Sequence, residues 1–220
     1  HAPPGVAIGG RLILPTGDDR PISSDDRVLA EHVLEGRVDG PRSVRRWLAF
    51  LGELFRDDAD RDQRIAYLQE WLGAALIGEA NAYRGLPVLD GSGQNGKSAL
   101  CFAIQDLFTA SAVRHVDPKS LTGDHAEYYV ASLEGGKVLI GFDVSGGMLR
   151  DTSFLKRVIS GEPIDARRPG EMPRKVLFRG AVILAGQELP PSADTSNAFE
   201  SRFLPLRLTR VFRDGDPGVL

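Results

Sequence analysis

Between two apolar runs, Leu-Pro-Val-Leu-Asp at 86–90 and Ser-Ala-Leu-Cys-Phe-Ala-Ile-Gln-Asp-Leu-Phe at 98–108, the chain carries the octapeptide Gly-Ser-Gly-Gln-Asn-Gly-Lys-Ser at 91–98. This matches the phosphate-loop pattern, in which glycines reach torsions closed to other residues and let successive backbone amides turn inward around an anion. The pattern needs a strand before it and a helix after it, because the helix brings its positive N-terminal end to the same point. Both flanking runs suit those roles. In such a loop Lys97 reaches the β and γ phosphates of a nucleoside triphosphate, and the Ser98 hydroxyl is placed to ligate Mg²⁺. Gly91, Ser92, Gly93, Gln94, Asn95, Gly96, Lys97 and Ser98 are therefore the candidate nucleotide-binding residues.

The rest of the chain fits an α/β unit. After residue 85, short apolar runs at 86–90, 138–143, 181–186 and 203–208 alternate with amphipathic stretches starting at Lys97, Asp124 and Asp151. That alternation predicts a mostly parallel sheet buried on both faces. Before it, 43–56 and 60–77 have helical periodicity, with Ile65, Leu68, Trp71, Leu72, Ala75 and Leu76 forming one stripe that stops at Gly78. The expected organisation is an arm at 1–27, a helical domain at 28–83, the nucleotide-binding domain at 84–211 and a tail at 212–220.

Composition sets outer bounds. The 220 residues are 42% hydrophobic and 26% charged, as in ordinary globular chains. A net charge of -3 provides no global basic field, so any contact with nucleic acid must come from a local cluster. The single cysteine, Cys101, allows no internal disulfide and no cysteine zinc site, which fits a reducing cytoplasm. No apolar run approaches a membrane span, so no membrane partner is expected. His1 at the first position suggests a tag remnant or a fragment of a longer polypeptide.

Two further features have double readings on the residues alone. Lys137-Val-Leu-Ile-Gly-Phe-Asp143 looks like a strand ending in an acid; such an acid orients Mg²⁺ and its waters in phosphate-loop enzymes, but Asp also simply begins turns. Arg167, Arg168, Arg174, Lys175 and Arg179 crowd into thirteen positions, interrupted by only one acid, Glu171, around a Pro-Gly-Glu-Met-Pro turn. They make either a solvated charged hairpin or a grip on phosphates. His115 and His125 have no partner at metal-ligand spacing and read as ordinary side chains.

From about residue 47 to 208 the order of these features resembles the superfamily 3 helicases, and within them the motor of phage, plasmid and poxvirus-type primase-helicases. The segment FLGELFRDDADRDQRIAYLQEWLGAALIG resembles the helical domain preceding that motor, and Asn95 before Gly-Lys-Ser is the family form of the loop. LEGGKVLIGFD resembles the second ATPase motif, FLKRVISGEPIDARRPGEMPRKVLFRG the stretch bearing the DNA-touching hairpin, and ILAGQELPPSADTSNAFESRF the third motif with its arginine finger.

The resemblance implies a phosphate-loop, AAA+-like core and ATP with Mg²⁺ as cofactors. It implies Lys97, Asp143, Gln187 and Arg202 as the catalytic set, and Ser98 and Asp143 as the metal-binding pair. Arg167, Arg168, Arg174 and Lys175 become the contacts to single-stranded DNA. It further implies a hexameric ring with ATP between subunits, movement from 3′ to 5′, and a primase domain or protein as partner. The chain departs from the family in three places: Gln187 stands where Asn is usual, Val144 follows Asp143 where a second acid is common, and Ser201 replaces the first of a paired arginine. The departures at Gln187 and Val144 keep another function open, an ATP-switched loader or scaffold that does not unwind DNA; a structural domain without turnover is a second alternative, against which the intact GSGQNGKS argues.

Overall fold

The computed structural model describes residues 6–8, 11–13, 18–21, 45–115, 117, 120, 126–142, 144, 152–187 and 197–213. Strands β1 (Val6–Ile8), β2 (Arg11–Ile13) and β3 (Asp19–Pro21) form a small antiparallel sheet in the expected arm. Helices α1 (Arg45–Leu54) and α2 (Arg61–Ile77) and a 3₁₀ turn at Ala80–Tyr83 lead to β4 (Leu86–Asp90) and α3 (Lys97–Gln105). Next come β5 (Val113–His115), α4 (Ala126–Ser132), β6 (Val138–Gly141) and α5 (Ser153–Ser160). A hairpin of β7 (Ile164–Ala166) and β8 (Arg174–Val176) precedes β9 (Ala181–Ala185), the short α6 (Asn197–Glu200) and β10 (Phe203–Arg207).

Five strands make one parallel sheet in the order β10-β4-β9-β6-β5. The buried side chains show why it is covered on both faces. A strand turns successive residues to opposite sides. Accordingly Leu89, Val138, Ile140, Ala181, Ile183 and Ala185 enter one apolar cluster, while Leu86, Val88, Leu139, Val182 and Leu184 enter the other. The first cluster holds the buried sides of α1, α2 and α3, including Leu51, Trp71 and Ile104. The second holds Val130 of α4, Leu155, Val158 and Ile159 of α5, and Ile164, Ala166 and Val176 of the hairpin. The parallel α/β architecture expected from the alternating apolar runs is therefore present.

The first cluster also shows that α1 and α2 share their core with the sheet and with the helix of the phosphate loop. Trp71 and Phe55 have no exposed surface and lie in the same cluster as Leu100 and Cys101 of α3. No helix among the described residues is long and apolar enough to cross a membrane.

Trp71 is the largest side chain in this core, and its indole nitrogen has no hydrogen-bond partner among the described residues. Trp71→Ala should destabilise the protein by about 3–5 kcal/mol through lost burial and the residual cavity. Trp71→Phe, which keeps the ring contacts and removes an unmatched donor, should cost much less. Denaturant unfolding followed by circular dichroism measures both; equal losses would show that the indole nitrogen is satisfied after all.

Candidate nucleotide site and basic hairpin

The phosphate loop begins where β4 ends. Its backbone is left-handed at Gly91 (φ 155°), Gly93 (φ 110°), Gln94 (φ 50°) and Gly96 (φ 82°), and Lys97 then opens α3. A β carbon on Gly91 would lie 1.8 Å from Asn95 Nδ2 and 2.7 Å from the Leu208 carbonyl oxygen, so only glycine fits there. At Gly96 a β carbon would come within 2.6 Å of Leu54 Cδ1, a contact that ties the loop to α1.

Asn95 fixes this shape from inside. It is only 2% exposed, and its amide nitrogen donates to the Leu208 carbonyl oxygen at 3.1 Å. Its amide oxygen accepts from Lys97 Nζ at 2.8 Å, and the same ammonium donates to the Gly91 carbonyl oxygen at 2.7 Å. The chain leaving β10 straps the outer side of the loop, for Leu208 N donates to Asp90 O at 2.9 Å and Phe212 N to Gln94 O at 2.7 Å. Arg210 anchors that strap by pairing with Glu53 of α1 and stacking its guanidinium 4.6 Å from the Phe212 ring centroid. Residues 208–212 were not among the site residues expected from the sequence; an arginine and an aromatic just past a terminal strand carry no signal of a loop over a hundred positions away.

Asp90, at the head of the loop, was also missed. Its carboxylate is 7% exposed and takes one bond from Arg207 Nε at 3.0 Å, a pair set up by the register that places Arg207 beside Asp90.

Sheet order places the remaining candidates. β9 lies between β4 and β6, and Gly186 N donates to Leu89 O at 3.0 Å, so Gln187 emerges, exposed, at the same end of the sheet as the phosphate loop. Ser98 is exposed in the first turn of α3. Asp143 and His125 lie outside the described residues. His115 is exposed, its ring 5.7 Å from that of Phe142. Burial pushes the Cys101 thiol up to about 12, which keeps it protonated and out of any chemistry.

Arg202 stands at the opposite pole. Its carbonyl accepts from Leu86 N at 2.7 Å, so it lies beside the start of β4, while the loop lies beyond the end. Five residues separate Leu86 from Gly91, roughly 16 Å along a strand. That exceeds the reach of a side chain. The guanidinium instead donates to Ser160 Oγ at 3.2 Å.

The basic cluster does form a hairpin, with Asp165 opposite Lys175 and Ala166 opposite Arg174. Tertiary structure also brings acids to it. Glu134 receives Arg168 at 3.2 Å and Arg174 at 2.9 Å, and Lys175 pairs with Asp165 at 2.6 Å. The Lys175 hydrogen bond, ahead of its charge, holds the Asp165 carboxyl below the usual carboxylate range. Arg167 and Arg179 are exposed, and no carboxylate pairs with them among the described residues. Glu134 was not expected here, since it lies 34 positions before Arg168.

No protein-family model matches the chain, and no curated protein matches it by sequence. Solved structures do. Two forms of the NrS-1 C-terminal region overlay with TM-scores of 0.58 and 0.55, at 17% and 16% identity over 78% of this chain and 39% of theirs. A structure of JCV helicase, bound to a thiazolopyridine-bearing acetamide, overlays with a TM-score of 0.47 at 14% identity over 79% of this chain and 47% of that one. The chain thus spans about two fifths of the NrS-1 structures it matches, and the likeness to them is one of fold.

Proposed function

We propose that this chain is an ATP-hydrolysing motor acting on single-stranded DNA, the kind of unit that drives a replication helicase of a phage or plasmid. The observation that carries the proposal is the phosphate loop: four left-handed residues, a buried asparagine that braces them, and an ammonium aimed between Gly91 and Asn95 at the head of a helix. A triphosphate fits this donor set: the Lys97 ammonium sits at the head of α3, donating to the Gly91 carbonyl oxygen and the Asn95 amide oxygen, beside the positive end of the helix. Lys97 would exchange those oxygens for the β and γ phosphates, and the α3 amides would take the remaining charge. Ser98 and Asp143 would hold Mg²⁺, which supplies charge neutralisation of the phosphates when bound. Gln187, at the same end of the sheet, would orient the attacking water.

Arg202 cannot serve its own loop, given the strand register, and would act on a neighbouring subunit's nucleotide. On this reading ATP would sit at interfaces of a homo-oligomer, a hexameric ring, with a primase domain or protein as a further partner. The hairpin would grip DNA phosphates through Arg167, Arg168, Arg174 and Lys175. A second reading, an ATP-switched loader that binds DNA without unwinding it, is favoured by the pairing of Arg168, Arg174 and Lys175 with acids of the same chain. Strand displacement on a forked duplex separates the two: ATP-dependent release of the displaced strand supports a motor, and DNA-stimulated ATPase without release supports a loader.

Lys97→Ala should abolish turnover and sharply weaken nucleotide binding, read by phosphate release and by a fluorescent ATP analogue. Hydrolysis at the parental rate would remove the phosphate loop from the mechanism. Arg202→Ala should keep nucleotide affinity while losing about a thousandfold in rate. Mixed with Lys97→Ala it should regain part of the activity, because one interface then pairs an intact loop with an intact arginine. No recovery in a mixture shown to co-assemble would exclude a shared site. Glu134→Gln should tighten single-stranded DNA binding by about two- to fivefold, since phosphates would no longer displace an exposed carboxylate from Arg168 and Arg174; unchanged anisotropy titrations would mean that these arginines do not meet DNA.

A further inference from the structure

The C-terminal end of α5 is held by more bonds than a surface helix end needs. Asn81, in the 3₁₀ turn just before β4, donates its amide to the Val158 and Ile159 carbonyl oxygens at 3.1 and 3.0 Å. Gly161 closes the helix with φ 65°, and a β carbon there would come within 2.8 Å of Asn81 Cγ. One residue earlier, Ser160 Oγ accepts from the Arg202 guanidinium. Three residues beyond the glycine, Ile164 begins the basic hairpin. The end of one helix therefore touches the segment entering the phosphate-loop strand, the arginine at the far pole of the sheet, and the root of the hairpin.

Arg202 is gripped from two sides. Its backbone carbonyl is fixed by Leu86 N, and its guanidinium by the last residue of α5. The C-terminal end of a helix carries partial negative charge and favours a cation at that position. A long, flexible side chain held at both ends loses its freedom before it meets a substrate, and that preorganisation is what an electrostatic catalyst requires.

We infer that Ser160 is a positioning residue for Arg202: its hydroxyl sets the direction in which the guanidinium is presented to the neighbouring subunit's nucleotide. The inference rests on the proposed reading of Arg202 as a group acting across the interface. Asn81 contributes indirectly, by fixing the helix end that carries Ser160. The proposal does not make Ser160 a catalytic residue, since its hydroxyl touches the arginine and not the nucleotide.

The test is a set of four proteins assayed for ATP hydrolysis across nucleotide concentrations, each checked for parental melting temperature and assembly size: Ser160→Ala, Ser160→Thr, Arg202→Ala and the double variant Ser160→Ala with Arg202→Ala. Ser160→Ala should lower kcat about tenfold, the effect of one hydrogen bond to a charged group, with KM for ATP unchanged. Ser160→Thr, which keeps the hydroxyl, should restore kcat. The double variant should be no slower than Arg202→Ala alone, because a positioning group has nothing left to position. Parental kcat in Ser160→Ala, beside a collapsed Arg202→Ala, would overturn the role of Ser160 and leave that of Arg202 intact. A further loss in the double variant would do the same, by showing that Ser160 acts through something else. Parental turnover in Arg202→Ala would instead overturn the cross-interface reading and this inference with it.

Discussion

One buried amide holds the phosphate-loop end of the sheet together. Asn95 gives its nitrogen to the chain leaving β10 and its oxygen to the lysine of the phosphate loop. Both bonds lie within a side chain that is 2% exposed, so neither is replaced by water when lost. An unsatisfied buried polar group costs about 1–3 kcal/mol, and here it would also release a loop whose backbone is left-handed at four places. The glycine at 91, the strap at 208–212 and the Arg210 pair with Glu53 all take their places around that amide.

The two faces of the sheet then divide the labour. On one, α1 and α2 pack into the same cluster as α3, so the helix that opens the phosphate loop is braced by chain from well upstream. On the other, α4, α5 and the hairpin share a second cluster that reaches β4, β6 and β9. The hairpin is thus a rooted element with a polar rim: Ile164, Ala166 and Val176 are buried, while Arg167, Arg168 and Lys175 are exposed. Arg168, Arg174 and Lys175 are held in surface ion pairs of the kind worth little to stability, which leaves them easy to redirect.

Much of this was legible in the residues. The run at 86–90 became β4 over the same residues, α2 stopped before Gly78, and the runs at 138, 181 and 203 each began a strand where expected. Period and turn chemistry carry those signals locally. β5 carries no sequence pattern, since two of its three residues are polar, and the Pro, Gly, Asp and Ser around β1 to β3 mask their short apolar pieces. The glycine pair at 9–10, between Val-Ala-Ile and Arg-Leu-Ile, is the hairpin signal in that stretch of sequence. Nothing local could reveal that Leu208 caps Asn95, that Glu134 meets the hairpin, or that Ser160 meets Arg202. These contacts join segments 34 to 113 positions apart and exist only once the sheet has been ordered. Charge counting within the hairpin overstated its free cations for the same reason.

The register of β10 along β4 has a geometrical corollary. Residues 86 and 203 are partners at one end and residues 90 and 207 at the other, so the strands run in step and their two ends are opposite poles. Surfaces at opposite poles, if they must meet, do so head to tail. A two-fold dimer brings like patch to like patch, whereas head-to-tail contact repeats until it closes on itself or runs on as a filament. On the proposed reading, each head-to-tail contact completes one site, and only a closed cycle of chains leaves neither a loop nor an arginine idle at its ends.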